Sequence, residues 1–457
     1  MIKRVALIAA PLALAGCMSM APKYERPAAP VAPAFAEAGS AGGAGSEAAA
    51  TIGWQRFFAD ARLRQLIDLA LANNRDLRVA ILNIEQARAQ FQIRRADHLP
   101  TLNIGASGSR TPGPDDSVAS SYSAGLLVSS FELDLFGRVK SLSDAALAQF
   151  LATEEARRAM HVSLVASVAN AYLATLADEE LLALTQQTLN ARQESLKLIQ
   201  LKFDNGVVSK LELQQGLSLA DSARVTLAQQ QRQRAQDLNL LTLLVGQPLP
   251  AGLAPGTTLA ATSLAELPAG LPSDLLAVRP DIRAAEQQLI AANANIGAAR
   301  ANFFPRISLT GSAGSASNEL SGLFKGGSFG WTFAPQMVLP IFDYGRNSAN
   351  LGSAKAGRDI AVAQYERTIQ AAFREVSDAL AGQATLGEQL RAQRAVADAE
   401  AERFKLSDLR YRSGAASYLD LLDAQRSLFS AQQAAVQANL QRLQNQVTLY
   451  RVLGGGL

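Results

Sequence analysis

The second half of this chain repeats the first. Asp76, Arg78, Ala80, Ala87, Ala89, Arg95, Ala96, Pro100 and Ser107 recur, 205 residues later and without a gap, as Asp281, Arg283, Ala285, Ala292, Ala294, Arg300, Ala301, Pro305 and Ser312. Further on the offset becomes 208, and Gly137-Arg138, Leu182, Ser209, Leu211, Leu213 and Gly246 return as Gly345-Arg346, Leu390, Ser417, Leu419, Leu421 and Gly454. Two equivalent halves can supply two equivalent staves to a symmetric wall, which points to a conduit rather than a catalytic pocket.

Composition narrows the function classes. A chain of 457 residues, 48% hydrophobic and 18% charged, buries a substantial apolar core. Lys+Arg 43 against Asp+Glu 40 leaves a net charge of only +3 with no basic stripe, so no nucleic-acid partner is implied. Two histidines, His98 and His161, and one cysteine cannot build a Cys/His metal site or a Cys–His nucleophile pair. No motif organises the carboxylates, so we assign no catalytic residue, no metal ligand and no cofactor, and expect no enzyme.

The single cysteine is informative in another way. Lys3 and Arg4 precede an apolar run from Val5 to Leu14, and Leu14-Ala15-Gly16-Cys17 follows directly. This is the anatomy of a signal peptide over 1–16, and a small-residue cleavage site ending on Cys resembles the bacterial lipobox. Cys17 would then carry a covalent lipid at the mature N-terminus, each buried CH₂ adding about 0.8 kcal/mol of membrane anchoring. The alternative is an ordinary secretory signal with an incidental cysteine. Met18 stands where an inner-membrane retention aspartate would, which favours the outer membrane.

Residues 17–50 form the lipidated N-terminus and a tether, whose Ala, Pro, Gly and Ser content from 28 onward reads as flexible. The first repeat is expected over 51–248, a linker over 249–274 and the second repeat over 275–457. In each repeat a helical pattern stops before a proline, Pro100 or Pro305, and the period then changes to two. Leu102, Ile104 and Ala106 alternate with Asn103, Gly105 and Ser107; Ile307 and Leu309 alternate with Ser308 and Thr310. Strands are expected at about 99–110, 121–136, 306–316 and 329–342, separated by Gly/Ser-rich loops. Alternation of this length suits membrane-spanning barrel strands. It suits a soluble half-buried hairpin equally, and recurrence in both repeats beside a lipid anchor favours the membrane. Four strands cannot enclose a pore, and eight only fill their own interior. Three chains giving twelve strands is the smallest open closure.

From Gly137-Arg138 to about Asn205, and from Gly345-Arg346 to about Ser413, no proline interrupts the helical pattern. Some 65 residues at about 1.5 Å each make helices of about 100 Å. Leu182, Leu189, Leu196 and Phe203 mark a heptad stripe, matched by Leu390, Ala397, Phe404 and Tyr411. Gly206 and Gly414 cap these helices and mark the hairpin tips. Ala159–Ala177 lacks Asp, Glu, Lys and Arg, yet its Ser, Asn and Thr content reads as close helix packing rather than a membrane span.

The motifs together resemble the TolC superfamily of outer-membrane channel proteins, specifically the OprM-type (NodT-like) lipoproteins of tripartite drug efflux. The resemblance rests on Cys17 with Pro22-Lys23-Tyr24-Glu25-Arg26-Pro27, on Asn74-Arg75-Asp76-Leu77-Arg78, and on Glu132-Leu133-Asp134-Leu135-Phe136-Gly137-Arg138. It continues through Gly270–Leu276 with Arg279-Pro280-Asp281, Phe303-Phe304-Pro305, Leu339-Pro340-Ile341-Phe342, Arg410–Gly414 and Leu421–Arg426. It implies a mainly α protein with a membrane β-barrel part. Two tandem repeats of long-helix hairpin plus β-hairpin would form, as a homotrimer, a twelve-stranded outer-membrane barrel and a twelve-helix periplasmic tunnel. Implied partners are outer-membrane lipid, a periplasmic membrane-fusion adaptor and an inner-membrane pump of the resistance-nodulation-division (RND) type.

Carried onto matching positions, the resemblance makes Leu419 an apolar ring at a periplasmic aperture, with Asp423 and Arg426 supplying charge. It also makes Gly206, Lys210, Glu212, Gly414 and Asp420 hairpin-tip positions for adaptor contact. Spacings of four and three put Leu419, Asp423 and Arg426 on one helical face. Asp–Arg pairs between neighbouring subunits would latch a closed aperture, while a solvated pair within one helix is worth only about a few tenths of a kcal/mol. The implied function is a passive exit duct for antibiotics, solvents or other small toxic compounds. The alternatives are a duct for type I protein or peptide secretion and a heavy-metal efflux channel.

Overall fold

In the computed structural model the described residues are 19–32, 35, 52–113, 117–265, 267 and 276–455. The signal segment, Cys17, most of the tether and part of the linker lie outside them. The chain divides into two compact units.

The first unit comprises residues up to Ala29 together with Leu82–Glu155 and Arg283–Thr368, and it holds the whole sheet. Strands β1 (Leu102–Pro112), β2 (Val118–Leu133), β3 (Arg306–Ser317) and β4 (Phe329–Val338) pair antiparallel in the order β1-β2-β3-β4. The middle pairing, β2 with β3, joins the two copies. Gly105, Gly125, Gly314 and Gly330 align in register as one glycine row across all four strands. Glycine rows permit close strand approach and the sharp bending a closed sheet needs. Between Val128 and Phe131 the β2–β3 register shifts, and Ser130 takes a φ of 54° there. Such bulges re-aim a strand and add twist. Strand β4 ends at Val338 rather than running to about 342, because Pro340 lacks the N–H that further pairing needs.

The second unit comprises Pro30–Ile81, Ala156–Ile282 and Ile369–Leu457. Its first helices are α1 (Trp54–Phe57), α2 (Ala61–Asn73) and the start of α3 (Arg75–Ala96). Four longer helices run through or within it: α4 (Arg138–Asp204) and α5 (Lys210–Val245), and, after α6 (Pro280–Ala301) of the second copy, α7 (Arg346–Arg412) and α8 (Tyr418–Val452). Duplication is visible in the lengths. Helices α4 and α7 both have 67 residues, and α3 and α6 both have 22.

Asp60 caps α2, accepting from the Arg62 and Leu63 amides, and its second oxygen accepts from the Tyr172 hydroxyl at 2.9 Å and the Thr257 hydroxyl at 2.9 Å. One buried carboxylate thereby ties the linker to both α2 and α4. Phe57, Phe58 and Tyr450 stack into an aromatic cluster close by. The apolar stretch of α4 is core: Val162, Val165, Val168, Ala169, Tyr172 and Leu173 are all buried.

Asp178 on α4 is 8% exposed and faces Asp237 on α5. Burial, and then the hydrogen bond and charge of Asp237, push its carboxyl up from an ordinary 3.8 to about 7. A raised carboxyl favours the fold while protonated, so its contribution is complete at acid pH and lost as pH rises through about 7. Asp178→Asn should therefore flatten the decline in melting temperature between about pH 4 and pH 7. An unchanged slope by circular dichroism would show that the carboxyl does not titrate there.

Candidate functional site

Two places in the chain carry the features a duct requires: the hairpin tips in the second unit and the sheet in the first.

At the tips the two copies share one chemistry. Gly206 and Gly414 adopt φ of 72° and 77°, the left-handed region glycine enters without steric cost. The Gly206 amide donates to Phe203 O and the Val207 amide to Lys202 O; Gly414 and Ala415 donate likewise to Tyr411 O and Arg410 O. Ser209 then caps α5 by accepting from the Glu212 amide, and Ser417 caps α8 by accepting from the Asp420 amide. Asp420 returns a bond to the Ser417 amide, completing a capping box. Glu212 and Asp420 thus have a local helix-starting role, while Lys210, Gly206 and Gly414 are exposed.

Behind the tips Ile199, Leu213, Leu219, Tyr418, Leu421 and Leu422 form one buried cluster across both hairpins, with Leu196, Phe203, Phe404 and Tyr411 packed around it. The heptad stripe supplies much of this packing. Gly216 allows it: a Cβ there would stand 3.2 Å from Ile199 and 3.3 Å from both Leu196 and the Tyr418 hydroxyl.

Leu419 projects from this core and is 58% exposed. Asp423 does not bond Arg426 within the chain; it pairs with Arg403 of α7. Arg403 also reaches Glu400 at 3.0 Å and the Ser427 hydroxyl at 3.3 Å. Arg426 is exposed, and its charge bears on Arg192. Helical spacing within α8 gave no sign of Arg403. Counting outward from the turn at Gly414 does, since antiparallel helices oppose residues at similar distances from their turn.

The sheet ends on a charged junction. Glu132 at the end of β2 holds Arg138 at 2.6 Å, in its own copy, and Arg306 at 2.7 Å, in the other. Phe136 stacks on Phe304 beside it, ring centroids 4.8 Å apart. All ten residues of β4 are exposed, among them Phe329, Trp331, Phe333, Met337 and Val338. Monomeric water-soluble proteins seldom present so large an apolar surface.

The described residues nearest the N-terminus are held along α6. The Tyr24 hydroxyl and the Arg26 guanidinium both donate to Glu286, the latter through two bonds at 2.7 and 2.8 Å. Asn293 donates to Pro22 O and Arg300 to Met20 O. Gly297 gives the segment room, for a Cβ would stand 2.7 Å from the Ala21 nitrogen.

A duplicated chain with long paired helices and an apolar, edge-open antiparallel sheet has the TolC-like fold of outer-membrane channel subunits. The family model for outer membrane efflux proteins matches residues 66–247 and 271–455. The toluene efflux pump outer membrane protein TtgC of Pseudomonas putida is 50% identical over 456 residues, covering 97% of this chain and 93% of that protein. The antibiotic efflux pump outer membrane protein ArpC of Pseudomonas putida matches at the same identity and coverage. The open state of the MtrE outer membrane channel of Neisseria gonorrhoeae superposes with a TM-score of 0.89 at 44% identity, covering 96% of this chain and 99% of that one. The chain belongs to the outer membrane efflux protein family. It is an efflux channel protein of the outer membrane.

Proposed function

We propose that three copies of this chain assemble into a passive exit duct that carries antibiotics, solvents or other small toxic compounds across the periplasm and outer membrane. The observation that carries this reading is the open four-stranded sheet. Among the described residues β1 and β4 each have one neighbour, so each has an unpaired edge, and β4 is apolar and exposed. Unpaired backbone cannot face lipid, so the edges must close on other copies. Twelve strands is the smallest closure that leaves a lumen. The compound class follows from the toluene and antibiotic pumps whose outer membrane proteins are half identical to this chain. A periplasmic adaptor and an inner-membrane RND pump are the corresponding partners, since the chain itself supplies no energy source. Repeats over 51–248 and 275–457, divided by the linker 249–274, are the two staves of each subunit. Cys17 carries the lipid, and the Tyr24–Arg26–Glu286 grip holds the chain immediately after it.

In the duct the exposed tips, with Lys210, Gly206 and Gly414, meet the adaptor, while Glu212 and Asp420 shape those tips by starting the return helices. Leu419, Asp423 and Arg426 line the aperture. Arg403 belongs to the same gate, because it holds Asp423 within the subunit. Three copies of Arg426 around an axis repel, and Asp423 is the nearest countercharge on the same helix face. Purified protein in planar bilayers should form channels, and Asp423→Ala with Arg426→Ala should raise single-channel conductance. Absence of any channel would overturn the duct, and unchanged conductance in the variant would overturn the gate. A deletion strain that lost a secreted protein but kept its antibiotic tolerance would favour the type I secretion alternative.

A further inference from the structure

Arg192, on α4, is an anomaly in this molecule. Only 5% of it is exposed, and no carboxylate among the described residues pairs with it. Its Nη1 donates to the Leu219 carbonyl of α5 at 3.2 Å, and its guanidinium lies 5.2 Å from the ring centre of Phe429 on α8. The Nε–H is buried and has no partner. Burial and the nearby Arg426 cation both draw its pKa below the ordinary arginine value. A buried cation without a counter-charge is costly, and proteins normally supply the anion.

Beside this guanidinium is a cavity of about 160 Å³ whose lining includes Leu184, Arg192, Phe404, Gln425, Leu428 and Phe429 and contains no Asp or Glu. The Gln425 Oε1 is likewise buried and unpartnered. An apolar cavity of about 150 Å³ in another protein holds benzene, so one aromatic ring fits the space. Leu184, Ala191, Phe404, Leu428 and Phe429 form the apolar walls, Gln187, Thr188 and Gln432 complete the lining, and the polar atoms buried without a partner are the Arg192 Nε and the Gln425 Oε1.

We propose that this cavity binds a small aromatic carboxylate of about the size of benzoate. The carboxylate accepts from Nε and Nη2 of Arg192, the edge that Leu219 does not use, once the side chain turns to uncover the buried Nε–H. Charge-assisted bidentate pairs of this kind are the strong ones. Its ring packs against Phe404 and Phe429. Gln425, which lines the cavity, donates from its side-chain NH₂ to the second carboxylate oxygen. A ligand so held touches α4, α7 and α8 together, immediately behind the cluster that supports the tips. The site is independent of the transport reading, because occupancy requires no flux.

Fluorine NMR of 4-fluorobenzoate with the purified full chain in detergent tests it. The native protein should broaden the ligand resonance saturably, and benzoate should compete. Arg192→Gln should weaken binding at least about tenfold, and Arg192→Lys, which keeps the charge but not the fork, by less. Phe429→Leu should also weaken it, since one ring wall is lost. Where Arg192→Gln fails to fold by circular dichroism, the Arg192→Lys and Phe429→Leu pair decides. Three results would each overturn the site: no saturable binding, equal binding by the variants, or fluorobenzene binding as tightly as fluorobenzoate. A cavity reserved for a partner's acidic side chain would give the first.

Discussion

Gly125→Val is expected to remove folded, heat-modifiable protein from outer-membrane fractions, while Gly330→Ala should leave its amount near native. The two glycines lie in one row across the sheet but in different surroundings. A Cβ at position 125 would stand 2.5 Å from the Ala313 carbonyl oxygen and 2.6 Å from the Gly314 Cα, closer than real Cβ atoms come. These are backbone atoms of β3, so no rotamer change relieves the contact. At Gly330 a Cβ meets open space within the chain. Overpacking ordinarily costs about 1–3 kcal/mol, and a backbone clash at the seam between the two copies lies at or above the upper end. Since about 1.4 kcal/mol is tenfold in an equilibrium, a loss of at least about tenfold is expected. Equal yields of the two variants would show that β2 and β3 are not packed as closely as the register requires.

Arg279→Ala should have the next largest effect. The guanidinium is almost fully buried and binds Glu375 at 3.1 Å, Asp281 through two bonds and the Val452 carbonyl at 3.2 Å. It thereby joins the start of α6 to α7 and to the last turn of α8. Removing one partner of a buried ion pair costs about 3–5 kcal/mol, because the remaining charge is stranded. Arg451, 3.7 Å from Glu375, and the one-third exposure of both carboxylates moderate the loss, so about 2 kcal/mol is expected here. Glu375→Gln added to Arg279→Ala should recover part of it by removing the stranded carboxylate. A double variant that melts no higher than the single one would show that packing, not charge, makes Arg279 important. Both melts are readable by circular dichroism on the purified protein.

Much of this protein was legible in one dimension. The duplication, the long uninterrupted helices, the glycine-terminated tips and the change to a two-residue period after Pro100 and Pro305 are all local patterns. Helix ends need a residue that tolerates positive φ, and Gly206 and Gly414 supply it at matching positions. Asp420 was legible only as a tip residue; its capping box shows that its carboxylate is committed to starting α8. Arg403 was not legible at all, because its link to Asp423 crosses a hairpin and leaves no trace in helical spacing. Arg192 was hidden for the opposite reason. An arginine in a polar stretch of helix is ordinary until burial removes its solvent.

The sequence by itself determined that the chain is two copies of one unit, where each copy bends, and which stretches alternate or spiral, because those properties depend on neighbours within a few residues. Only the tertiary structure decided how the copies meet. It aligned four glycines that the sequence spreads over more than two hundred positions, joined Arg138 and Arg306 through one Glu132 carboxylate, and left Arg192 buried beside a cavity without a carboxylate in its lining. Strand register and burial are set by the sum of many distant contacts, so no local period encodes them.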